Sequence, residues 1–368
     1  MAENHTFNVL AHPNIYTGNT GRELRIEFSI PSAGVQANTG FIILVPGFGA
    51  TIDSNVYQKM REQFADSYNA VTIQCEYFGS AHMQSADKIS VTNQQALRSI
   101  LSEAEWSHIQ QNPGAFTQLI SSKEVTFPVK ADLSETVEDF NDMGYMQAID
   151  IITAFETVKL LLDDNKLEYD VNRVIGYGHS HGSYLLHLCN VMSPWTFSFI
   201  VDNSAWLEPL YINHYRVLYK GLGKCTLAIH FDYLAKQVLE NKSLLNLFGL
   251  YQTFQNQAKI ISFMGIDDNL VKAQEKERFI ANIPNADFIL VTKDDVDQVK
   301  YKSTSHGLDA DFLELFAYAL QFESHEKQNQ TMELQYEIHY ETLKIQADFT
   351  QGLPIFKFDF EANLQTLV

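Results

Sequence analysis

The feature that most constrains this chain is the stretch Val174-Ile175-Gly176-Tyr177-Gly178-His179-Ser180-His181-Gly182-Ser183-Tyr184. A short apolar strand, Arg173 to Tyr177, runs into a Gly-x-Ser-x-Gly turn, and an apolar helical pattern, Leu185-Leu186-His187-Leu188-Cys189, follows at once. A strand can turn straight into a helix at a serine only if the residues two before and two after lack a Cβ, so that strand and helix approach closely. Gly178 and Gly182 occupy those positions. The serine backbone is then strained and its hydroxyl stands clear of the sheet, which is the context of a nucleophile elbow. Ser180 also opens a helix whose N-terminal N–H groups favour developing negative charge. A glycine-rich turn with a chance serine is the plain alternative. Metal binding by His179 and His181 is not expected, because no further cluster of ligand residues accompanies them.

The rest of the chain reads as alternating strands and helices. Glu23–Ile30 alternates polar and apolar residues, as a half-exposed antiparallel strand does, and the continuous run Phe41–Val45 suits a strand covered on both faces. Helical spacing follows over 54–67 behind a capping Ser54, and Ala70–Cys75 is the next parallel strand. A helix is expected from Ser134-Glu135-Thr136-Val137 through Met146, Ile149, Ile152, Phe155, Val158 and Leu161. After the elbow come strands at Phe197–Val201, Ala258–Met264 and Ala286–Val291, with helices at 272–282 and 311–322. This is an α/β pattern: a mainly parallel central sheet with helices on both faces.

Two polar or aromatic excursions, 81–135 and 207–256, are too long for simple loops and are expected to be insertions forming a lid. The tail holds a polar stretch, 323–330, then alternating segments at 333–349 and 355–360. The expected organisation is one domain over 1–322 carrying both insertions, and a C-terminal antiparallel β extension over 323–368.

The formal charge is −19. Such a surface repels phosphate backbones and anionic lipid, so no nucleic-acid partner is expected. No apolar run approaches the ~20 residues of a membrane-spanning helix. The N-terminus lacks a basic region followed by an apolar stretch. Three widely spaced cysteines, Cys75, Cys189 and Cys225, fit a reducing compartment. A cytoplasmic location is the expectation.

In parallel sheets, sites gather at the carboxyl ends of strands. Ser180, the adjacent Asp267 and Asp268, and His306 all follow predicted strand ends. A serine hydroxyl needs a base to take its proton during attack. Histidine can do so near neutral pH, and a carboxylate fixes the histidine tautomer. Either aspartate could instead cap the helical turn before Leu270. Asp268 is favoured because it lies one residue deeper into the loop. The Pro46-Gly47-Phe48-Gly49-Ala50 loop, off the end of a buried strand, can present backbone N–H groups to an oxyanion.

The order Ser180, Asp268, His306, taken with the elbow, resembles the α/β-hydrolase superfamily over most of residues 23–322. The resemblance implies the α/β-hydrolase fold and an oxyanion hole from the N–H groups of Phe48 and His181, although most hydrolases carry His-Gly where this chain has Pro46-Gly47. Gly265-x-x-Asp268-x-x-Val271 matches the superfamily's usual strand-end pattern, and Asp202 is a further candidate because some members place the acid there. The activity implied is serine ester hydrolysis through an acyl-enzyme, with no cofactor and no metal. Acyl transfer to a sugar hydroxyl would use the same residues, and a non-catalytic binding protein on a hydrolase scaffold is the alternative from another class. Pro46–Gly49, Glu76-Tyr77-Phe78-Gly79-Ser80, Asn141–Asp150 and the elbow together resemble a bacterial α/β-hydrolase-like family associated with flagellin-glycosylation regions. That resemblance implies a small-molecule ester, an acyl group on a nonulosonic (sialic-acid-like) sugar.

Overall fold

Eight strands build the central sheet: β1 Glu3–Leu10, β2 Glu23–Ile30, β3 Gly40–Val45, β4 Ala70–Cys75, β5 Val174–His179, β6 Phe199–Asn203, β7 Lys259–Gly265 and β8 Ala286–Val291. Their order is β1-β2-β4-β3-β5-β6-β7-β8. β1 pairs antiparallel with β2, and β2 antiparallel with β4; every neighbouring pair from β4 to β8 is parallel. The computed structural model describes residues 1–85, 88–324 and 333–360.

Strand periodicity places alternate side chains on opposite faces. Ile42, Leu44, Ile175, Tyr177, Phe199, Val201, Ile261 and Phe263 form one apolar layer. Against it lie Tyr57, Met60 and Phe64 of α1 (Asn55–Tyr68), with Phe316 of a later helix, Phe312–Ala319. The other face meets α2 (Tyr145–Asp164), where Phe155 packs edge-on against Phe41 at 5.3 Å. It also meets α3 (His181–Met192): a Cβ on Gly176 would stand 3.1 Å from Leu186. Helices thus cover both faces.

Several boundaries differ from expectation, each for a physical reason. β2 is buried along most of its length, not half-exposed. Its polar side is closed by Arg61 of α1, which pairs with Glu27 at 2.7 Å and donates to Ser29 at 3.2 Å. Helix α2 starts at Tyr145, not near Ser134. The Glu135 carboxylate is taken by the N–H groups of Asn141 and Leu234 at 2.9 and 2.7 Å. The Asp142 carboxylate instead accepts from Met146 N–H at 2.8 Å, in the first turn of the helix. β6 runs on through Asp202 and Asn203, two fully buried polar residues that end the apolar run without ending the strand.

The chain divides into two compact units. The first holds residues 1–80, 142–210 and 241–368, and thus the large sheet. The second joins 81–141 to 211–240 around a four-stranded sheet, in which Thr126–Ala131 pairs parallel with Cys225–Phe231. Residues 241–256, expected in the second excursion, fold with the first unit. The tail forms three antiparallel strands, Gln335–Tyr340, Leu343–Asp348 and Ile355–Asp359. Most of the polar stretch 323–330, and the tail beyond 360, lie outside the described residues. Among the described residues no helix is long and apolar enough to cross a membrane.

Candidate active site

Ser180 sits between β5 and α3 with φ 55° and ψ −118°. A non-glycine residue in that region is strained and persists only where its surroundings over-determine it. The flanking glycines do so. A Cβ on Gly178 would stand 2.4 Å from the nitrogen of Ser183, and one on Gly182 2.2 Å from the carbonyl oxygen of Val45. The Ser180 N–H is also tied down, donating to the Asn203 carbonyl at 2.7 Å.

The structure brings Ser180, His306 and Asp268 into one hydrogen-bonded chain. Ser180 Oγ lies 2.7 Å from His306 Nε2, and His306 Nδ1 lies 2.8 Å from Asp268 Oδ2. An ionised carboxylate only accepts, so Nδ1 carries the ring proton and Nε2 presents its lone pair to the hydroxyl. The Asp268 side chain is fully buried, and its other oxygen accepts from the N–H groups of Leu270 and Val271 at 2.8 and 3.0 Å. It therefore caps a turn with one oxygen and orients histidine with the other.

The other two aspartates do not reach His306. Asp267 accepts the Thr304 hydroxyl at 2.7 Å, while its N–H donates to the Thr304 carbonyl at 2.9 Å. Close approach here requires Gly265, where a Cβ would fall 2.0 Å from the Thr304 oxygen. Asp202 is engaged in the core with Lys276, Ser262 and His187. On the far side of His306, the Gly307 N–H donates to Ser204 Oγ at 3.1 Å.

The loop after β3 lies against the elbow. Phe48 packs on His181 and Trp206, at ring separations of 5.4 and 5.5 Å. His179 fills the space between that loop and the His306 loop: a Cβ on Gly47 would lie 2.6 Å from its Nδ1, and one on Gly307 2.4 Å from its Nε2. Burial, and secondarily the neighbouring His306, push the His179 pKa down to about 4; burial alone takes His181 to about 3. Both rings are neutral at pH 7.

The motifs at 76–80 and 141–150 meet behind the elbow. The Phe78 N–H donates to Asp150 at 2.8 Å, and the Phe78 carbonyl accepts from Gln147 Nε2 at 3.0 Å. Gln147 Oε1 then accepts from His181 Nε2 at 2.7 Å. These residues brace the elbow helix. Among the described residues no group of three His, Cys, Asp or Glu is placed to hold a metal ion.

Thr304, Ser204, Gln147 and Lys276 were not singled out from sequence. Only Lys276 left a signal there: it occupies the apolar stripe of its helix, three residues after Ala273 and three before Phe279.

A largely parallel eight-stranded sheet in this order, helices on both faces and a serine elbow after β5 define the α/β-hydrolase fold. The chain belongs to the DUF2920 family, described as a protein of unknown function, whose model matches residues 5–238. The matched span contains Ser180 and stops before Asp268 and His306. One solved structure agrees on the fold at a TM-score of 0.50. The acylaminoacyl peptidase of Pyrococcus horikoshii matches with a TM-score of 0.50 at 13% identity, over 89% of this chain and 43% of its own. Est1E from Butyrivibrio proteoclasticus, with ferulic acid bound, matches with a TM-score of 0.44 at 10% identity, over 82% and 94%. Dienelactone hydrolase from Anabaena variabilis matches with a TM-score of 0.38 at 10% identity, over 86% and 96%. No curated protein matches the chain by sequence.

Proposed function

We propose that the protein is a serine hydrolase of carboxylic esters, with Ser180 as nucleophile, His306 as general base and acid, and Asp268 as the carboxylate that orients the histidine. The observation that carries this reading is the continuous contact from Ser180 Oγ through His306 to Asp268, at 2.7 and 2.8 Å. Ser180 Oγ attacks the ester carbonyl carbon as its proton passes to His306 Nε2. The tetrahedral oxyanion is met by the N–H groups of His181 and Phe48. His306 returns the proton to the departing alkoxide, leaving acyl-Ser180, and a water activated by the same nitrogen releases the acid. What supports the oxyanion assignment is the place of His181 at the start of α3 and the packing of Phe48 on its ring.

Labelling by a fluorophosphonate, and turnover of p-nitrophenyl acetate, both lost in Ser180→Ala, are the expected results. A folded wild-type protein that neither labels nor turns over the ester would sink the reading in favour of a binding protein. The acylated sugar rests on the motif resemblance. Faster release of acetate from O-acetylated nonulosonic sugars than from O-acetylated hexoses is the outcome that reading requires.

A further inference from the structure

Behind the elbow lies a polar cluster with no exposed surface. Lys276 Nζ stands 2.5 Å from Asp202 Oδ2, and both side chains are fully buried. Desolvating two charges offsets most of their attraction, so such a pair adds little stability over an apolar one. Its geometry gives it another purpose. Asp202 Oδ1 accepts the Ala205 N–H at 2.7 Å, and Lys276 Nζ donates to the Ala205 carbonyl at 3.3 Å. The pair therefore grips Ala205 by both its backbone polar groups, with Asp202 itself held in β6 beside Gly178 of the elbow strand.

The two residues in between are the ones that touch the site. The Asn203 carbonyl accepts the Ser180 N–H at 2.7 Å, and Ser204 Oγ accepts the Gly307 N–H at 3.1 Å. Ser204 has φ 60°, a left-handed conformation that costs free energy at a non-glycine residue and must be held by its neighbours. Its N–H donates to the Phe263 carbonyl at 2.9 Å. The Asp202 carboxylate is filled out by the Ser262 hydroxyl at 2.9 Å and by His187 Nε2 at 3.2 Å. His187 Nδ1 in turn lies 2.7 Å from the Tyr251 hydroxyl.

We propose that the Asp202–Lys276 pair is a positioning device that sets the separation of Ser180 from His306, by clamping the turn whose two middle residues hold Ser180 and the neighbour of His306. The proposal rests on the hydrolase reading for its kinetic readout and not for its geometry.

Three variants test it: Lys276→Met, the double variant Asp202→Asn/Lys276→Met, and Ser204→Ala. Each is measured for melting temperature, for the rate of Ser180 labelling by a fluorophosphonate, and for the downfield Nδ1 proton resonance of His306, identified by its loss in His306→Asn. Lys276→Met leaves an unpaired buried carboxylate. It should melt lower, label roughly tenfold to a hundredfold more slowly, and show a broadened His306 resonance. The double variant leaves no unpaired charge, so its melting temperature should recover towards wild type while its labelling stays slow. Ser204→Ala, which cuts the link to Gly307 and the hydroxyl's bond to the Asn203 side chain but leaves the buried ion pair intact, should also label slowly. Labelling that recovers together with melting temperature would overturn the proposal, as would wild-type labelling and resonance in folded Lys276→Met. If Lys276→Met does not fold, the double variant and Ser204→Ala decide by the same comparison. A wild-type protein that does not label defeats the hydrolase reading, and the His306 resonance then decides the positioning claim alone.

Discussion

Ser180 and His306 meet at 2.7 Å, but contrasting stretches of chain deliver them. The elbow is dictated locally. Gly178 and Gly182 admit backbone atoms that any Cβ would strike, and the serine is held by the strand before it and the helix after it. The His306 loop belongs to no strand or long helix. It is pinned from outside, by Asp267 onto Thr304 before the histidine and by Ser204 onto Gly307 after it. One half of the pair is written in five consecutive residues; the other depends on partners roughly 40 and 100 residues away, joined to it by a few modest hydrogen bonds.

The contrast can be broken most severely at the elbow. Ser180→Ala should lower ester turnover by roughly 10⁶-fold with no change in melting temperature. Gly182→Ala should instead lose the fold around the elbow, read as a fall in melting temperature together with loss of labelling.

Asp268→Asn is expected to cost about 10⁴-fold in turnover with the fold intact, because the amide holds the wrong histidine tautomer. Asp267→Asn should be far milder. The reverse ranking, measured on p-nitrophenyl acetate, would redraw the site around Asp267.

The pins on the His306 loop should show smaller, graded effects. Thr304→Val removes the hydroxyl given to Asp267 and should slow turnover roughly tenfold, with KM little changed. Thr304→Ser keeps the hydroxyl and should restore most of the loss. Equal rates in the two variants would show that the loop needs no such pin.

The smallest effect concerns acid stability. His179 and His181 have folded pKa values of about 4 and about 3, against about 6.5 in an unfolded chain. The unfolded state therefore takes up their protons first. The stability tied to their neutral forms is complete above pH 6.5 and is lost as pH falls from there, towards about 4 for His179 and about 3 for His181. At pH 5 this amounts to roughly 2 kcal/mol for each ring. His181→Gln keeps a donor for Gln147 and should show a smaller drop in melting temperature between pH 7.5 and pH 5 than wild type. An unchanged drop would place the acid sensitivity elsewhere.

What could be read beforehand follows the same division. The strand-turn-helix around Ser180, the buried run of β3 and the alternation of the sheet were legible because their causes lie within a few residues. The start of α2 was not. Ser134-Glu135 has the composition of a helix start, but the Glu135 carboxylate is used by the distant Leu234 N–H. The end of β6 was misjudged because Asp202 and Asn203 are polar, and the opposite charge that helps make a buried aspartate tolerable there comes from Lys276, more than 70 residues on. Spacing favours Asp268 over Asp267, and Asp268 is the one that contacts the His306 ring, whereas the contacts of Asp267, Thr304 and Ser204 that hold the loop follow no local pattern.

The order of the strands has a consequence for the protein's birth on the ribosome. After β5, which lies beside β3, each new strand adds to the edge left by the one before, so the sheet can grow outward as the chain emerges. The serine elbow can therefore be in place early, but the histidine that would activate it follows 126 residues later. A serine hydroxyl without its base is a poor nucleophile. A nascent chain arrested after β8 should thus carry a formed elbow that ignores fluorophosphonate, and reactivity should switch on only once the His306 loop has left the exit tunnel.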